Sequence, residues 1–141
     1  MSAKFFLDTN ILIYTFDDDN PGKRDRARAL VGEALSDSRG CISSQVVQEF
    51  LNASLLKFSK PLTPADAQRF LTVVLEPLCT VFAGMDLFHQ AITITDRWKF
   101  AFYDALIVAS AFQAGCPILY SEDLQHGQKV ESLQILNPFL L

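Results

Sequence analysis

The sequence predicts an α/β fold, a mainly parallel sheet covered by helices on both faces. Three observations point there. Short apolar runs suited to buried strands alternate with segments whose apolar residues recur at spacings of three and four, as in amphipathic helices. Strands that alternate with helices along a chain pair in parallel, because each helix supplies the crossover. A chain of 141 residues, 50% hydrophobic and 20% charged, is the size of one domain, here residues 1–141. It can bury about 70% of the surface its unfolded chain exposes without a disulfide or metal staple. This composition excludes disordered and collagen-like classes, and no repeat or low-complexity segment interrupts it.

Residues 4–7 form the first strand, and residues 10–16 a helix, since Ile11, Leu12, Tyr14 and Thr15 fall at helical spacing. Asp8 and Thr9 therefore sit where strand turns into helix. The polar stretch from Asp17 to Gly22 is a break. Residues 24–35 follow as an amphipathic helix carrying Ala27, Leu30, Val31 and Ala34 on one face. Cys41 and Ile42 are too few to establish a strand, but Ser43 and Ser44 can cap a helix over residues 45–58. Thr63, Pro64 and Asp66 form a helix-start signature for a helix to Glu76, which Pro77 is expected to end. Residues 78–83 read as a strand, and Asp86 as the cap of a helix to Trp98. A strongly apolar helix over residues 103–114 is ended by Gly115. Residues 117–120 are a buried strand, and residues 133–136 a last one.

Cys41, Cys79 and Cys116 are odd in number and lack a CxxC pair, so they read as reduced, buried apolar residues. The opening apolar run stops at Asp8, short of a signal peptide, and no stretch approaches the length of a membrane span. A cytoplasmic protein is expected. The net charge of −4 argues against a conventional nucleic-acid coat or a polybasic membrane anchor.

The acids change that reading once they are placed. Asp8 directly follows the first strand, and Asp123 follows the strand over residues 117–120 after Ser121 and Glu122, so both carboxylates project from one sheet edge. Asp104 lies in the opening turn of an apolar helix, where the helix dipole favours an anion. Glu49 lies on the Gln45, Glu49, Asn52 stripe of its helix and can face the same edge. Four carboxylates without histidine or cysteine make a hard oxygen site, suited to Mg²⁺ or Mn²⁺ and ill suited to zinc. Such a cation can activate water and neutralise the developing charge on a phosphodiester. Setting the four acids aside leaves twelve acids against twelve bases. Each acid has a plainer reading: Asp8 as a helix cap, Asp104 as a dipole-stabilising first-turn acid, Glu49 as a solvated helix residue. What distinguishes Asp8 and Asp104 is that they adjoin very apolar segments, where an uncompensated carboxylate is costly.

These motifs, read together, resemble the PIN domain family. They are Leu7-Asp8-Thr9-Asn10-Ile11-Leu12, then Glu49, then Tyr103-Asp104-Ala105-Leu106-Ile107-Val108-Ala109, then Ile118-Leu119-Tyr120-Ser121-Glu122-Asp123-Leu124. Within the family the chain is most similar to the VapC-type ribonuclease toxins. The resemblance spans nearly the whole chain and implies a PIN-like, Rossmann-like sandwich. It implies a divalent-metal-dependent endoribonuclease, a homodimer, inhibited by a small antitoxin and leaving a 5′-phosphate. It further implies Asp8, Glu49, Asp104 and Asp123 as the catalytic and metal-binding quartet, with Asn10 and Ser121 beside the substrate. Ser121 stands where the family more often has threonine, and either hydroxyl can orient a carboxylate. Glu122 is the alternative to Asp123. Two other readings stay open: a Mg²⁺-binding phosphoacceptor signalling domain, which wants a late lysine that is missing after Tyr120, and a catalytically silent RNA-binding PIN domain.

Among the bases, Arg97 and Lys99 closely precede Asp104 and are placed to meet an RNA phosphate, although helix C-terminal charge explains them too. Lys23, Arg24, Arg26 and Arg28 are the densest basic patch, read either as an RNA track or as a solvated face. His89 and His126 have no ligand-spaced partner, and Asp17, Asp18 and Asp19 read as a solvated loop. Phe16, Phe58 and Phe100, near element ends, are candidates for a dimer or antitoxin groove. A homodimer would also give a net acidic chain a groove between neutral-to-basic faces in which to hold a polyanion.

Overall fold

Phe5, Phe6 and Leu7 are buried on every side, and they form the strand around which the rest assembles: β1 (Phe5–Leu7). A computed structural model describes residues 3–141. After β1 come α1 (Thr9–Tyr14), α2 (Pro21–Ser36), β2 (Gly40–Ser43), α3 (Ser44–Leu56) and α4 (Pro64–Phe70). A π-helical turn, Leu71–Leu75, leads into α5 (Glu76–Leu78) and β3 (Cys79–Val81). Then follow α6 (Met85–Trp98), α7 (Phe102–Gln113), β4 (Ile118–Tyr120), β5 (Lys129–Val130), β6 (Leu133–Leu136) and a closing 3₁₀ turn, Pro138–Leu140.

The sheet runs in the order β3-β2-β1-β4-β6-β5, parallel throughout except that β5 is antiparallel to β6. This is the predicted α/β arrangement. Its strand order reverses between β1 and β4, and in such sheets the crevice beyond the carboxyl ends of the strands at the reversal is where ligands bind. β1 and β4 pair in register from Phe5 with Ile118 to Leu7 with Tyr120. The ladder continues one step further, the Asp8 N–H donating to the Tyr120 carbonyl at 3.0 Å. Residue 8 is thereby fixed at the lip of the crevice.

α7 buries all seven residues from Ala105 to Ala111, as expected of a helix apolar all round that lies inside the domain. On the other side of the sheet α2 approaches β2 so closely that a Cβ on Gly40 would stand 2.1 Å from the Ala34 Cβ. Glycine is required there by space rather than by backbone angle. Phe16, Phe50, Phe58 and Phe70 form one aromatic cluster with centroids 4.8–6.1 Å apart. Phe16 and Phe58 are thus committed to the core margin, where they wall a cavity of about 460 Å³ beside Asp17, Asp18 and Asp19, and Phe100 also packs on the core.

Several boundaries differ from the sequence expectation for local reasons. Pro77 does not end the helix but sits inside α5, because the wider π-helical turn before it relieves the carbonyl its ring would strike. Asp86 lies in the first turn of α6 rather than capping it; Gly84 occupies the cap position and has no side chain to offer. α2 starts at Pro21, three residues before Arg24, with proline in the first turn. The cysteines are free, with Cys41 and Cys116 buried. Among the described residues no helix is long and apolar enough to cross a membrane.

The basic patch on α2 is spent on internal ties. Lys23 pairs with Glu122 at 2.5 Å and Arg24 with Asp18 at 2.8 Å, while Arg26 and Arg28 donate to the carbonyls of Pro138 and Thr15. These bonds fasten α2 to the loop after β4, the chain end and the end of α1. His126 accepts the Asn137 N–H through Nδ1 at 2.8 Å, a structural role.

Candidate active site

Asp8 plays both roles that the sequence allows. It caps α1, its Oδ1 accepting the Thr9 N–H at 2.7 Å, and its Oδ2 accepts the Ser121 hydroxyl at 2.7 Å. Asp8 is 8% exposed and Ser121 fully buried. The two sit at the ends of the adjacent strands β1 and β4, so the hydroxyl bridges the point where the strand order reverses. Burial pushes the Asp8 carboxyl up to about 6, against the pull of those two hydrogen bonds, and the charges of Asp123 and Glu49 add to the rise.

Asp104 stands in the first turn of α7, whose cap residue Ala101 supplies no side-chain acceptor. Its carboxyl is also raised, first by burial and then by Asp123 and Glu49. The same two acids therefore act on both Asp8 and Asp104, and the structure brings the predicted quartet into one electrostatic neighbourhood. Asp123 lies exposed in the loop that Ser121 turns, where the Leu124 N–H reaches the serine hydroxyl at 3.4 Å.

Glu49 is held from two sides. Thr9 donates its hydroxyl to Oε1 at 2.6 Å, and Gln45 reaches Oε2 from one helical turn earlier at 3.4 Å. Gln45 also donates to the carbonyl of Tyr103, at 3.3 Å, immediately before Asp104. Thr9 and Gln45 are neighbours of Glu49 that sequence reasoning does not single out as site residues. Their signals are the Asp8-Thr9 adjacency and the i, i+4 spacing of Gln45 and Glu49, which puts both on one helix face. Asn52, on the same stripe, is exposed and outside this network.

The remaining candidates divide. Asn10 lies beside the quartet on α1, and both polar atoms of its amide are buried without a partner. Glu122 points away: Tyr14 donates to its Oε1 at 2.6 Å and Lys23 holds its Oε2. Burial alone would raise the Glu122 carboxyl, but Lys23 and then Tyr14 together hold it below the usual range. It is a tie between α2 and the β4 loop, not a substitute for Asp123. Arg97 pairs with Glu131 at 2.9 Å, and Lys99 lies 4.0 Å from Asp96. No hydrogen bond or ion pair links either base to the four acids among the described residues.

A PIN domain model matches residues 5–130. The chain belongs to the PIN domain family. No curated protein matches it significantly. Solved structures share the fold. A toxin-antitoxin complex from Klebsiella pneumoniae is 19% identical with a TM-score of 0.68, over 97% of this chain and 98% of that one. FitAcB from Neisseria gonorrhoeae is 19% identical with a TM-score of 0.66, over 97% and 99%. VapC20 from Mycobacterium tuberculosis, described as a toxin cleaving the sarcin-ricin loop, is 20% identical with a TM-score of 0.58, over 84% and 88%.

The donor chemistry of this PIN domain suits a hard divalent cation. All four acids and the flanking Asn10, Gln45 and Ser121 offer oxygen. Among the described residues no three acids, histidines or cysteines are gathered closely enough to enclose an ion by themselves. The orphaned Asn10 amide and the desolvated Asp8 carboxylate are what a charged, hydrated ligand would satisfy.

Proposed function

We propose that this PIN domain is a Mg²⁺- or Mn²⁺-dependent endoribonuclease, the toxin of a toxin-antitoxin pair. The observation that carries this reading is Asp8, a buried carboxylate at the strand reversal, raised to about 6 and accompanied by three further acids that no base pairs with among the described residues. Folding alone gains nothing from such a cluster, so the arrangement is maintained for a cation. When bound, Mg²⁺ or Mn²⁺ would supply charge neutralisation of the phosphodiester and a more acidic water.

This chain's residues then have distinct tasks. Asp8, locked by Thr9 and Ser121, is the fixed anchor, and Asp104 and Asp123 complete the negative field. Glu49 has Oε1 engaged by Thr9, which leaves Oε2, with only its long Gln45 contact, to take a proton from the attacking water. A water oxygen–phosphorus bond forms and the phosphorus–O3′ bond breaks, the leaving O3′ taking a proton from solvent water, which leaves a 5′-phosphate and a 3′-hydroxyl. Asn10 and Ser121 flank the reacting centre. Arg97 and Lys99 are exposed, and their weak surface pairs leave them available to the RNA backbone. The toxin-antitoxin complexes of shared fold support a small antitoxin partner, and the neutral balance left outside the quartet supports a homodimeric RNA groove.

The test is cleavage of RNA by purified protein with Mg²⁺, Mn²⁺ or chelator, using parent, Asp8→Asn and Asp104→Asn. Cleavage only by the parent with metal, leaving 5′-phosphate ends, supports the reading. Cleavage that persists in excess chelator, or in either folded variant, sinks it.

A further inference from the structure

Gln45 links three parts of the site, and its amide orientation is fixed by what surrounds it. Its Nε2 faces two acceptors, the Tyr103 carbonyl at 3.3 Å and Glu49 Oε2 at 3.4 Å. Turning the amide over would set Oε1 against both acceptors, so the network admits one orientation only. In that orientation Oε1 is buried and accepts nothing. A side chain selected only to pin α3 against α7 would not carry a buried acceptor without a donor, since an apolar residue of the same length packs there without that cost. A ligand that carries an O–H or N–H into the site can supply that donor. With Glu49 in contact and Asp104 next to the Tyr103 carbonyl that Gln45 bonds, the donor of fitting chemistry is a water of a hydrated divalent cation, which Mg²⁺ and Mn²⁺ retain.

We propose that Gln45 is a positioning residue of the active site. It holds Glu49 Oε2 at a fixed distance from the start of α7, where Asp104 stands, and it receives through Oε1 a water O–H from the cation's hydration shell. This rests on the metal-dependent nuclease reading above. Thr9 fixes one oxygen of Glu49 and Gln45 the other, so the carboxylate is clamped from α1 and α3 together.

The test uses the full chain and Mn²⁺ alone as the ligand. Gln45→Met keeps the side-chain length and removes both the donors and the acceptor. Mn²⁺ affinity by calorimetry, kcat and KM on RNA, and melting temperature in chelator are compared with the parent. Positioning predicts Mn²⁺ binding weakened roughly 10-fold, the scale of outer-shell contacts, a kcat lowered by a similar factor, and a KM within about twofold. It also predicts a melting temperature in chelator equal to or above the parent's. A lowered melting temperature with unchanged Mn²⁺ affinity makes Gln45 a structural tie and overturns the proposal. Gln45→Ala repeats the measurement, and failure of both variants to fold in chelator overturns it as well. If the parent neither binds Mn²⁺ nor cleaves RNA, the nuclease reading itself fails and Gln45 with it. If the parent does both and Gln45→Met matches it, only the role of Gln45 is refuted.

Discussion

Replacing Asp8 by asparagine should make the metal-free protein more stable at neutral pH, and the structure gives the size. The carboxyl moves from 3.8 to about 6 on folding, so keeping it ionised in the native state costs about 3 kcal/mol at pH 7. The folded value lies above the unfolded one, so the native state holds this proton more tightly. Its favourable contribution is complete below about pH 4 and is lost as pH rises through 6. The asparagine side chain of this variant would keep the acceptor for the Thr9 N–H, and its amide N–H can donate to Ser121, whose hydroxyl rotates to accept. For a chain of this length about 3 kcal/mol corresponds to roughly 6–12 °C in melting temperature. The assay is thermal unfolding of parent and Asp8→Asn in chelator at pH 4.5, 6 and 7.5. The variant's advantage should be small at pH 4.5 and grow to its full value at pH 7.5. A variant that melts below the parent at pH 7.5, or an advantage independent of pH, would refute the argument that burial, not hydrogen bonding, governs this carboxylate.

Asp104→Asn should likewise raise the melting temperature in chelator, by less than Asp8→Asn because Asp104 is more exposed, and should gain less than the parent from saturating Mn²⁺. The parent should gain about 2.7 kcal/mol at a hundred times its dissociation constant, so equal gains in both proteins would remove Asp104 from the site. Glu122→Gln should keep RNA cleavage within about twofold while losing the Lys23 pair, a solvent-screened contact whose loss should leave the melting temperature nearly unchanged; abolished cleavage with the fold intact would return Glu122 to the catalytic set. Gly40→Ala should destabilise by about 1–3 kcal/mol in denaturant titration, since its Cβ would meet Ala34 at 2.1 Å and one element must give way. An unchanged midpoint would mean that α2 yields freely.

The sheet and its site were legible wherever a strong local pattern coincided with a strand end. β1 and β4 stand out as apolar runs broken by an acid or a serine, and α7 as an apolar run opened by an acid and closed by glycine, so Asp8, Ser121 and Asp104 could be placed at element ends from the pattern, while the roles expected of them came from the family resemblance. What escaped was determined by three-dimensional context. β5 is two residues long and exists only because β6 turns back on it. The π-helical turn that carries the chain past Pro77 leaves no residue-level signature. The bases Lys23, Arg24, Arg26 and Arg28 read as a possible RNA track because a sequence shows charge without partners, and their partners lie as far away as Pro138.

Asp8 shows why the plain and the functional readings of one residue need not compete. A cap requires only an oxygen near the first turn, and asparagine or serine would serve as well. The same position also lies at the strand reversal, facing Ser121 across the β1–β4 pair, and there the choice of a carboxylate costs stability that a neutral cap would not. The difference between what capping needs and what this site holds is the ionised charge itself. On the proposed function that charge gains its use when a cation occupies the crevice, and the same logic extends to Gln45, whose spare buried oxygen gains a use when a donor arrives with it.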